Sequence, residues 1–441
     1  MTVNVDMLGD WRRAHYTVEI TPELNGKEVT IFGWVLDIRD LGGLRFIILQ
    51  DREGDVQITV PRKKVNAEVV KKADALQRQY SIGVKGVVQK TTMTPRGVEI
   101  IPSEIKIVGL AQQPLPLDIT GRTPADIDVR LDSRVLDLSR QENRAIFKIQ
   151  HVMLEATRRF LSEMGFLEVQ SPRIIASATE GGAALFQISY YDREAYLAQS
   201  PQLYKEQLVI DFERVFEIGH FFRAEESHTR RHTSEFVSID IEQAFATTED
   251  VMKILEELVR CVCEAVNSRC QKELKLLKHK VEVPETPFKR FTYDHVIAEV
   301  KNMGEEVKWG DDLPTPALRT LGKLHPYFYF ITEWPKTARA FYIKTKEDNP
   351  KLTEGFDLMW RSVELTSGGS GVGSKEALIE RLKEKGLNPD SFKFHLQAFD
   401  YGMPPHAGWA TGLERFTMAL TGKQNIREVT LFPRDRFRLT P

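Results

Sequence analysis

The feature that most limits what this chain can fold into is a pair of alternating runs around a short, highly charged loop. Residues 215–222 read Val-Phe-Glu-Ile-Gly-His-Phe-Phe, and residues 235–242 read Glu-Phe-Val-Ser-Ile-Asp-Ile-Glu. Both are rich in β-branched and aromatic residues, and successive side chains of a strand point to opposite faces. Phe236, Ser238, Asp240 and Glu242 therefore share one face of the second run, while Val237, Ile239 and Ile241 share the other. By the same count Glu217 and Arg223 share a face of the first. The runs read as a hairpin with one apolar side and one side crowded with opposite charges. The connecting segment carries Arg223, Glu225, Arg230, Arg231, His232 and Thr233. Standing alone, such a hairpin reads as a solvated face with surface ion pairs. The remainder of the chain decides whether it is something else.

Upstream, residues 17–110 alternate short strands with turns. Strands are expected over 27–38, 45–50, 56–60, 82–88 and 97–108, with a helix over 64–76. Five strands with one helix between the third and fourth is the order of an OB-fold barrel. Such barrels hold single-stranded nucleic acid by stacking bases on aromatic rings and reading base edges. Phe46, Gln57 and Glu99 are candidates for that role, although a lone Phe on a barrel strand more often belongs to the core. Turn residues over 114–123 mark a linker, so domains are expected over 1–110, 111–138 and 139–441.

In the last of these, a helix over 144–164 runs into a strand-like segment ending at Pro172. Glu180 lies in a glycine-flanked acidic loop, and Gln202 and Lys205 share a face of a helix opening near Gln202. A long amphipathic helix is expected over 248–276. Asp357 and Glu364 fall seven apart on expected paired strands, with Ser367 just beyond. Oxygen donors so placed suit a magnesium ion that also leans on phosphates. Gly412, Glu414 and Arg415 bring a small-residue turn to the start of a helix running to Leu420, where phosphate and guanidinium meet favourably. The glycines at 369, 371 and 373 lack the spacing, the βαβ setting and the later acidic residue of a dinucleotide loop.

Composition narrows the class. The 441 residues carry a net charge of −2, which neither advertises nucleic-acid binding nor excludes a local basic groove. No apolar run approaches the roughly 18 residues of a membrane span, and the polar N-terminus has no signal-peptide core, which points to the cytoplasm. Cys261, Cys263 and Cys270 fit neither a zinc ribbon nor a disulfide framework and read as thiols. No Walker loop, nucleophile elbow or zincin motif occurs.

The order of these motifs resembles a class II aminoacyl-tRNA synthetase of the subgroup with an N-terminal OB-fold, and is similar to the aspartyl-tRNA synthetases of archaeal and eukaryotic type. The segment ending at Pro172 resembles the first class motif, residues 222–236 the second, and residues 412–415 the third. Residues 178–182, 199–205, 403–406 and 431–435 sharpen the likeness to the aspartyl branch. The resemblance implies an α+β chain: an anticodon-binding OB barrel plus a six-stranded antiparallel catalytic sheet flanked by helices, assembled as a homodimer. It implies ATP, L-aspartate, magnesium and tRNA-Asp, with tRNA-Asn open, as substrates and partners.

Roles follow residue by residue. Arg223 and Arg415 would be the catalytic cations. Glu225, Arg231, His232, Thr233, Phe236, Glu364, Gly412 and Glu414 would join them around ATP. Glu180, Gln202, Lys205, Arg223, Asp240 and Ser367 would surround the aspartate, with Lys205 meeting its side-chain carboxylate and Asp240 its ammonium. Asp357, Glu364 and Ser367 would hold magnesium, and Phe46, Gln57 and Glu99 would meet the anticodon.

The chain departs from that pattern at two positions. Gly371 stands where the family usually has the arginine that grips the aspartate side chain, and Ala410 stands where a glycine is usual. A carboxylate without a bidentate partner loses a strong charge-assisted bond. Lys205 alone suffices, another cation replaces the arginine, or the chain uses another amino acid or none. Asparaginyl-tRNA synthetase, an amide-forming ligase on the same catalytic fold, and a tRNA-binding paralogue without charging activity are the alternatives.

Overall fold

A computed structural model describes residues 3–176, 185–224 and 230–441. The chain divides into two compact units, 1–141 and 142–441.

In the first unit, β1 (Glu28–Asp40), β2 (Leu44–Gln50), β3 (Asp55–Pro61), β4 (Ser81–Lys90) and β5 (Val98–Gly109) close into a barrel in the order β1-β2-β3-β5-β4. Helix α1 (Ala67–Ala75) lies between β3 and β4 in sequence and starts at Asn66, whose side chain accepts from the Val69 N–H. This is the OB-fold. The alternation explains it: Ile47, Ile58 and Ile100 point inward at 0% exposure, while Phe46, Gln57 and Glu99 alternate with them on the half-buried outer face. Phe46 is therefore outside the barrel core. After β5 the chain is irregular until two short helices, α2 (Ile127–Asp132) and α3 (Arg134–Asp137), which carry a buried Arg134–Asp137 ion pair at 2.6 Å.

The second unit is built on an eight-stranded sheet. Helix α4 (Gln141–Glu163) leads into β6 (Leu167–Glu168). A small three-stranded sheet follows, made of β7 (Ile174–Ile175), β8 (Gln187–Tyr190) and β9 (Arg193–Leu197) in the order β7-β9-β8. Then come α5 (Gln202–Phe212), β10 (Arg214–Phe222), β11 (Glu235–Ala244), α6 (Thr248–Arg269) and α7 (Gln271–Leu277). The chain continues with β12 (Lys289–Thr292), α8 (Tyr293–Asn302), α9 (Thr315–Leu324), β13 (Phe328–Thr332), β14 (Gly355–Trp360) and β15 (Val363–Ser370). It ends with α10 (Lys375–Glu384), α11 (Lys393–Phe399), β16 (His406–Gly412) and α12 (Leu413–Thr421).

The sheet order is β12-β13-β14-β15-β16-β11-β10-β6. The inner six strands are antiparallel, matching the expected number, but a short parallel strand extends each edge: β12 beside β13 and β6 beside β10. No described helix is long and apolar enough to cross a membrane.

The charged hairpin occupies the middle of this sheet, with β10 and β11 in register from Arg214–Gln243 to Phe222–Glu235. Ile239 and Ile241 enter the main core together with Phe216, and α4 and α6 cover that face through Ile149, Met153, Leu255 and Val262. Helix α6 is fixed at its start by a reciprocal cap: the Thr247 N–H and hydroxyl both donate to Asp250, at 2.9 and 2.7 Å. Cys263 and Cys270 are buried, and burial pushes their thiols up to about 12 and about 11, so they are inert.

The charged face of the hairpin is not solvated. Glu217, Asp240 and Glu242 are each 1% exposed, which excludes the surface-hairpin reading. Ile241→Ala is expected to cost about 2–5 kcal/mol, the usual range for emptying a fully buried aliphatic site. Urea unfolding of the larger unit checks it, and the half-buried Val237→Ala should cost less.

Candidate active site

The buried face of β11 forms the floor of a cavity of about 370 Å³. Phe236, Ser238, Asp240 and Glu242 line it from β11; Gln199, Gln202 and Glu206 from α5 and the segment before it; Glu364, Ser367 and Gly371 from β15 and its end; and Gly412, Glu414 and Arg415 from β16 and α12. Along one strand face, Phe236 and Glu242 are six residues, ~20 Å, apart. The cavity therefore has two distinct ends.

At the Glu242 end a lysine is buried among acids. Lys205 Nζ lies 3.2 Å from Asp240 Oδ1, 3.6 Å from Glu242 Oε2 and 3.3 Å from the Trp409 carbonyl. Burial pulls its pKa down, but Asp240 and Glu242 outweigh that and hold it above the usual lysine value, so it stays charged. Burial pushes Glu242 up to about 7 against the pull of Lys205. Beside them Gln202 donates to Glu206 Oε1 at 2.7 Å, and His395 Nε2 stands 2.9 Å from Glu206 Oε2. Burial would raise Glu206, but His395 and His406 overcome it and keep it ionised. Glu217, opposite Asp240 in the ladder, is tied down by Arg173 at 2.6 Å and by the Ser171 N–H at 3.0 Å.

At the Phe236 end arginines dominate. The Arg223 guanidinium stacks 5.2 Å from the Phe236 ring centroid. Arg231 donates to the Ser362 carbonyl at 2.9 Å, and burial and then Arg415 lower its pKa. Arg415 donates to His232 Nε2 at 3.1 Å and to the Glu364 carbonyl at 3.0 Å. His232 thus accepts on Nε2 and is held as the Nδ1–H tautomer. Glu414 accepts from the Val237 N–H at 3.1 Å and so clamps α12 onto the hairpin; burial lifts it to about 7. Thr233 is buried, its hydroxyl without a hydrogen-bond partner.

Between the ends, Asp357 and Ser367 face each other across β14 and β15. Burial pushes Asp357 up to about 7, and its Oδ1 has no hydrogen-bond partner. A residue that sequence reasoning missed, Arg339, pairs with the other Asp357 oxygen and donates to Ser367 Oγ at 3.3 Å. Its guanidinium lies 4.0 Å from the Trp334 ring centroid. Glu364 lies nearby with its side chain 41% exposed, and Arg415 is 3.5 Å from its carboxylate. An orphaned buried carboxylate oxygen, a second carboxylate and a hydroxyl fit a small hard cation. Glu206, His395 and His406 were also missed as a network, because they come from three separate elements. Glu180 and Glu225 lie outside the described residues.

In the barrel, Gln57 donates to Glu99 at 3.2 Å, and Thr59, the cross-strand partner of Phe46, donates to the same oxygen at 2.5 Å. Phe46, Gln57 and Glu99 are thus brought together on one outer face.

An antiparallel sheet with a hairpin of buried acids and arginines, closed by a glycine-started helix carrying Arg415, is the catalytic architecture of class II synthetases. The profile of class II tRNA synthetases (D, K and N) matches residues 126–436, and that of the OB-fold nucleic acid binding domain matches residues 29–108. The chain belongs to this class II family and is a ligase that forms aminoacyl-tRNA with the use of ATP. It is 51% identical over 436 residues to the aspartate–tRNA(Asp/Asn) ligase of Methanothermobacter thermautotrophicus, covering 99% of this chain and 100% of that one. It is also 51% identical over 428 residues to the ligase of the same name from Methanopyrus kandleri, covering 97% and 99%. Among solved structures it resembles the asparaginyl-tRNA synthetase of Pyrococcus horikoshii complexed with asparaginyl-adenylate, with a TM-score of 0.92 at 32% identity over 97% and 99% of the two chains. The aspartyl-tRNA synthetase of Entamoeba histolytica gives 0.86 at 32% over 97% and 93%.

Arg339→Met should leave Asp357 buried without its cation, a loss of about 3 kcal/mol. The sign follows from Asp357 having a folded pKa raised by burial. An acid so raised costs stability as pH rises through that value, and removing Arg339 raises it further. The variant's deficit should therefore be larger at pH 8 than at pH 6, as read by urea unfolding at both.

Proposed function

We propose that this protein is an aspartate–tRNA ligase that activates L-aspartate with ATP and transfers it to tRNA-Asp and tRNA-Asn. The observation that carries the reading is the two-ended cavity: Asp240 and Glu242, with Lys205 buried behind them, at one end of β11, and Arg223 stacked on Phe236 with Arg231 and Arg415 in the lining at the other. Both relatives at 51% identity are named for aspartate and for both tRNAs, which supports the choice of amino acid and of tRNA.

The chemistry follows from the residues. The aspartate α-carboxylate attacks the α-phosphorus of ATP, and pyrophosphate leaves from the opposite side. Charge on the phosphates is met by fixed guanidinium groups rather than by proton transfer. Arg223 bridges the carboxylate and α-phosphate, held in place by its stacking on Phe236, which in turn supports adenine. Arg231, His232 and Arg415 bind the outer phosphates, and Thr233, Gly412 and Glu414 shape the nucleotide cleft. Gln202, Lys205, Asp240 and Ser367 surround the amino acid, with Asp240 accepting from its ammonium. Asp357, Glu364 and Ser367 would hold magnesium, with Arg339 displaced from Asp357. The ion supplies charge neutralisation and orientation of the phosphates when bound. In the second step a ribose hydroxyl of the tRNA 3′ adenosine attacks the acyl carbon, and AMP leaves. Residues 1–110 bind the anticodon, residues 111–138 form the hinge, residues 139–441 carry catalysis, and two copies pair through the α4–β6 segment.

Pyrophosphate exchange into ATP tests the substrate. Aspartate should support it, while asparagine and glutamate should not; exchange with asparagine alone would overturn the reading. Arg415→Ala should lower kcat/KM for ATP by about 10²–10³-fold. Phe46→Ala should weaken tRNA binding by about tenfold and leave exchange, which needs no tRNA, unchanged.

A further inference from the structure

The aspartate reading leaves one difficulty at the Glu242 end. The guest's side-chain carboxylate must enter a pocket whose lining already presents Glu206, Asp240 and Glu242. Lys205, buried behind these acids, is already shared between Asp240 and Glu242. His395 and His406 are directed at Glu206, at 2.9 and 4.0 Å. Gly371 supplies no charge, and a Cβ there would lie 2.0 Å from His406 Nε2, so the imidazole stands directly behind it. Burying a further carboxylate among these groups without its own cation is strongly unfavourable.

Among the described residues, the guanidinium groups that line the cavity are those of Arg223, Arg231, Arg339 and Arg415. Arg223 is stacked on Phe236, Arg231 is tied to Ser362, and Arg415 is tied to His232 and Glu364, all at the nucleotide end. Arg339 stands apart from them. One of its nitrogens pairs with Asp357, another donates to Ser367 Oγ at 3.3 Å, and its buried Nε has no hydrogen-bond partner. Ser367 is paired with Ala410, and Ala410 with Asp240, so Arg339 and Asp240 sit on one rung of the sheet, about 10 Å apart across two strand spacings. The next rung runs Glu242, Gly408, Gly369, Gly355 and carries no side chain beyond Glu242. An amino acid whose ammonium meets Asp240 therefore lies over bare glycines, with Arg339 at its far side. The backbone beneath Arg339 is fixed: Arg381 donates to the carbonyls of Lys336 and Ala340 at 3.4 and 3.3 Å, and Ile343 bridges to Gly371. The guanidinium itself rests on the Trp334 ring, a flat surface over which it can pivot.

We propose that Arg339 is the specificity-determining cation of this site: it turns from Asp357 to receive the side-chain carboxylate of the amino acid over Gly369. This rests on aspartate being the substrate. Asp357 and the guest carboxylate then compete for one guanidinium, and a magnesium ion on Asp357 releases it to the guest. A carboxylate offers Arg339 two charged acceptor oxygens, whereas an amide offers one neutral oxygen and an N–H group that a guanidinium cannot accept.

Calorimetric titration of aspartate, and separately of asparagine, into the full chain without nucleotide tests this. Arg339→Gln should weaken aspartate binding by about tenfold or more and change asparagine binding far less. Asp357→Asn, which releases the guanidinium, should tighten aspartate binding, and that gain should vanish in the Arg339→Gln background. In the unmodified protein, magnesium with a non-hydrolysable ATP analogue should tighten aspartate more than asparagine. Unchanged aspartate binding in Arg339→Gln overturns the proposal, as does equal weakening of both amino acids. So does a gain from Asp357→Asn that persists without Arg339. Where the variants fail to fold, equal tightening of the two amino acids in the unmodified protein decides against it. If exchange runs with asparagine and not aspartate, the functional reading falls and this proposal with it; if it runs with aspartate and Arg339→Gln binds aspartate normally, only the proposal falls.

Discussion

One lysine ammonium, buried at 2% exposure between Asp240 and Glu242, is the interaction around which the binding face of the catalytic unit is arranged. Charges so far from water are stable only with close partners held in place. Here the partners come from a strand in the middle of the sheet, whose opposite face is anchored in the main core by Ile239 and Ile241. The apolar half of β11 thus supplies the rigidity, and the polar half spends it on a binding site. The surrounding acids form a graded set. Glu206 is kept ionised by His395 and His406, while Glu242 is lifted to about 7 by burial. Such separation of neighbouring acids is a signature of functional rather than packing roles.

The arginine end follows different logic. Arg231 and Arg415 are each tethered by a carbonyl and by a neighbouring side chain before any nucleotide arrives. Their geometry is set in advance, so little reorganisation remains when phosphate charge develops. Glu414 contributes by holding α12 against the hairpin through the Val237 N–H, which fixes Arg415 relative to Phe236. Arg339 lies on Asp357 between the two ends and keeps an otherwise unpaired buried acid compensated.

Much of this was legible in the sequence where the signal was periodic. Period-two alternation located β10, β11 and the barrel strands, and it placed Phe236, Ser238, Asp240 and Glu242 on one face. Phe46 stood as a candidate for base stacking against the usual preference of a lone aromatic for the core, and the fold places it on the outer face beside the inward Ile47. The edge strand β12, at four residues, is too short to show a period, while β6, at two, fell within the strand-like segment read before Pro172. Arg339 was missed because the chain there is irregular, with one short 3-10 turn at Lys336–Ala338 and isolated bridges such as Pro335–Leu352 and Ile343–Gly371. The Glu206–His395–His406 network was missed because it joins α5, α11 and β16, which no local pattern connects. The glycine at 371 was visible as a departure, but its consequence, an imidazole behind it, needed the fold.

The central claim is that the buried charges at Lys205, Asp240 and Glu242 serve the substrate and not the fold. The most direct test is the urea-unfolding stability of Lys205→Met/Asp240→Leu/Glu242→Met alongside its aspartate-dependent pyrophosphate exchange. Replacing a buried ionic cluster with apolar side chains of similar volume is neutral or stabilising by about 1–4 kcal/mol. The account predicts a variant at least as stable as the unmodified protein and without exchange activity. A variant that unfolds several kcal/mol more readily, or one that still activates aspartate, would contradict it.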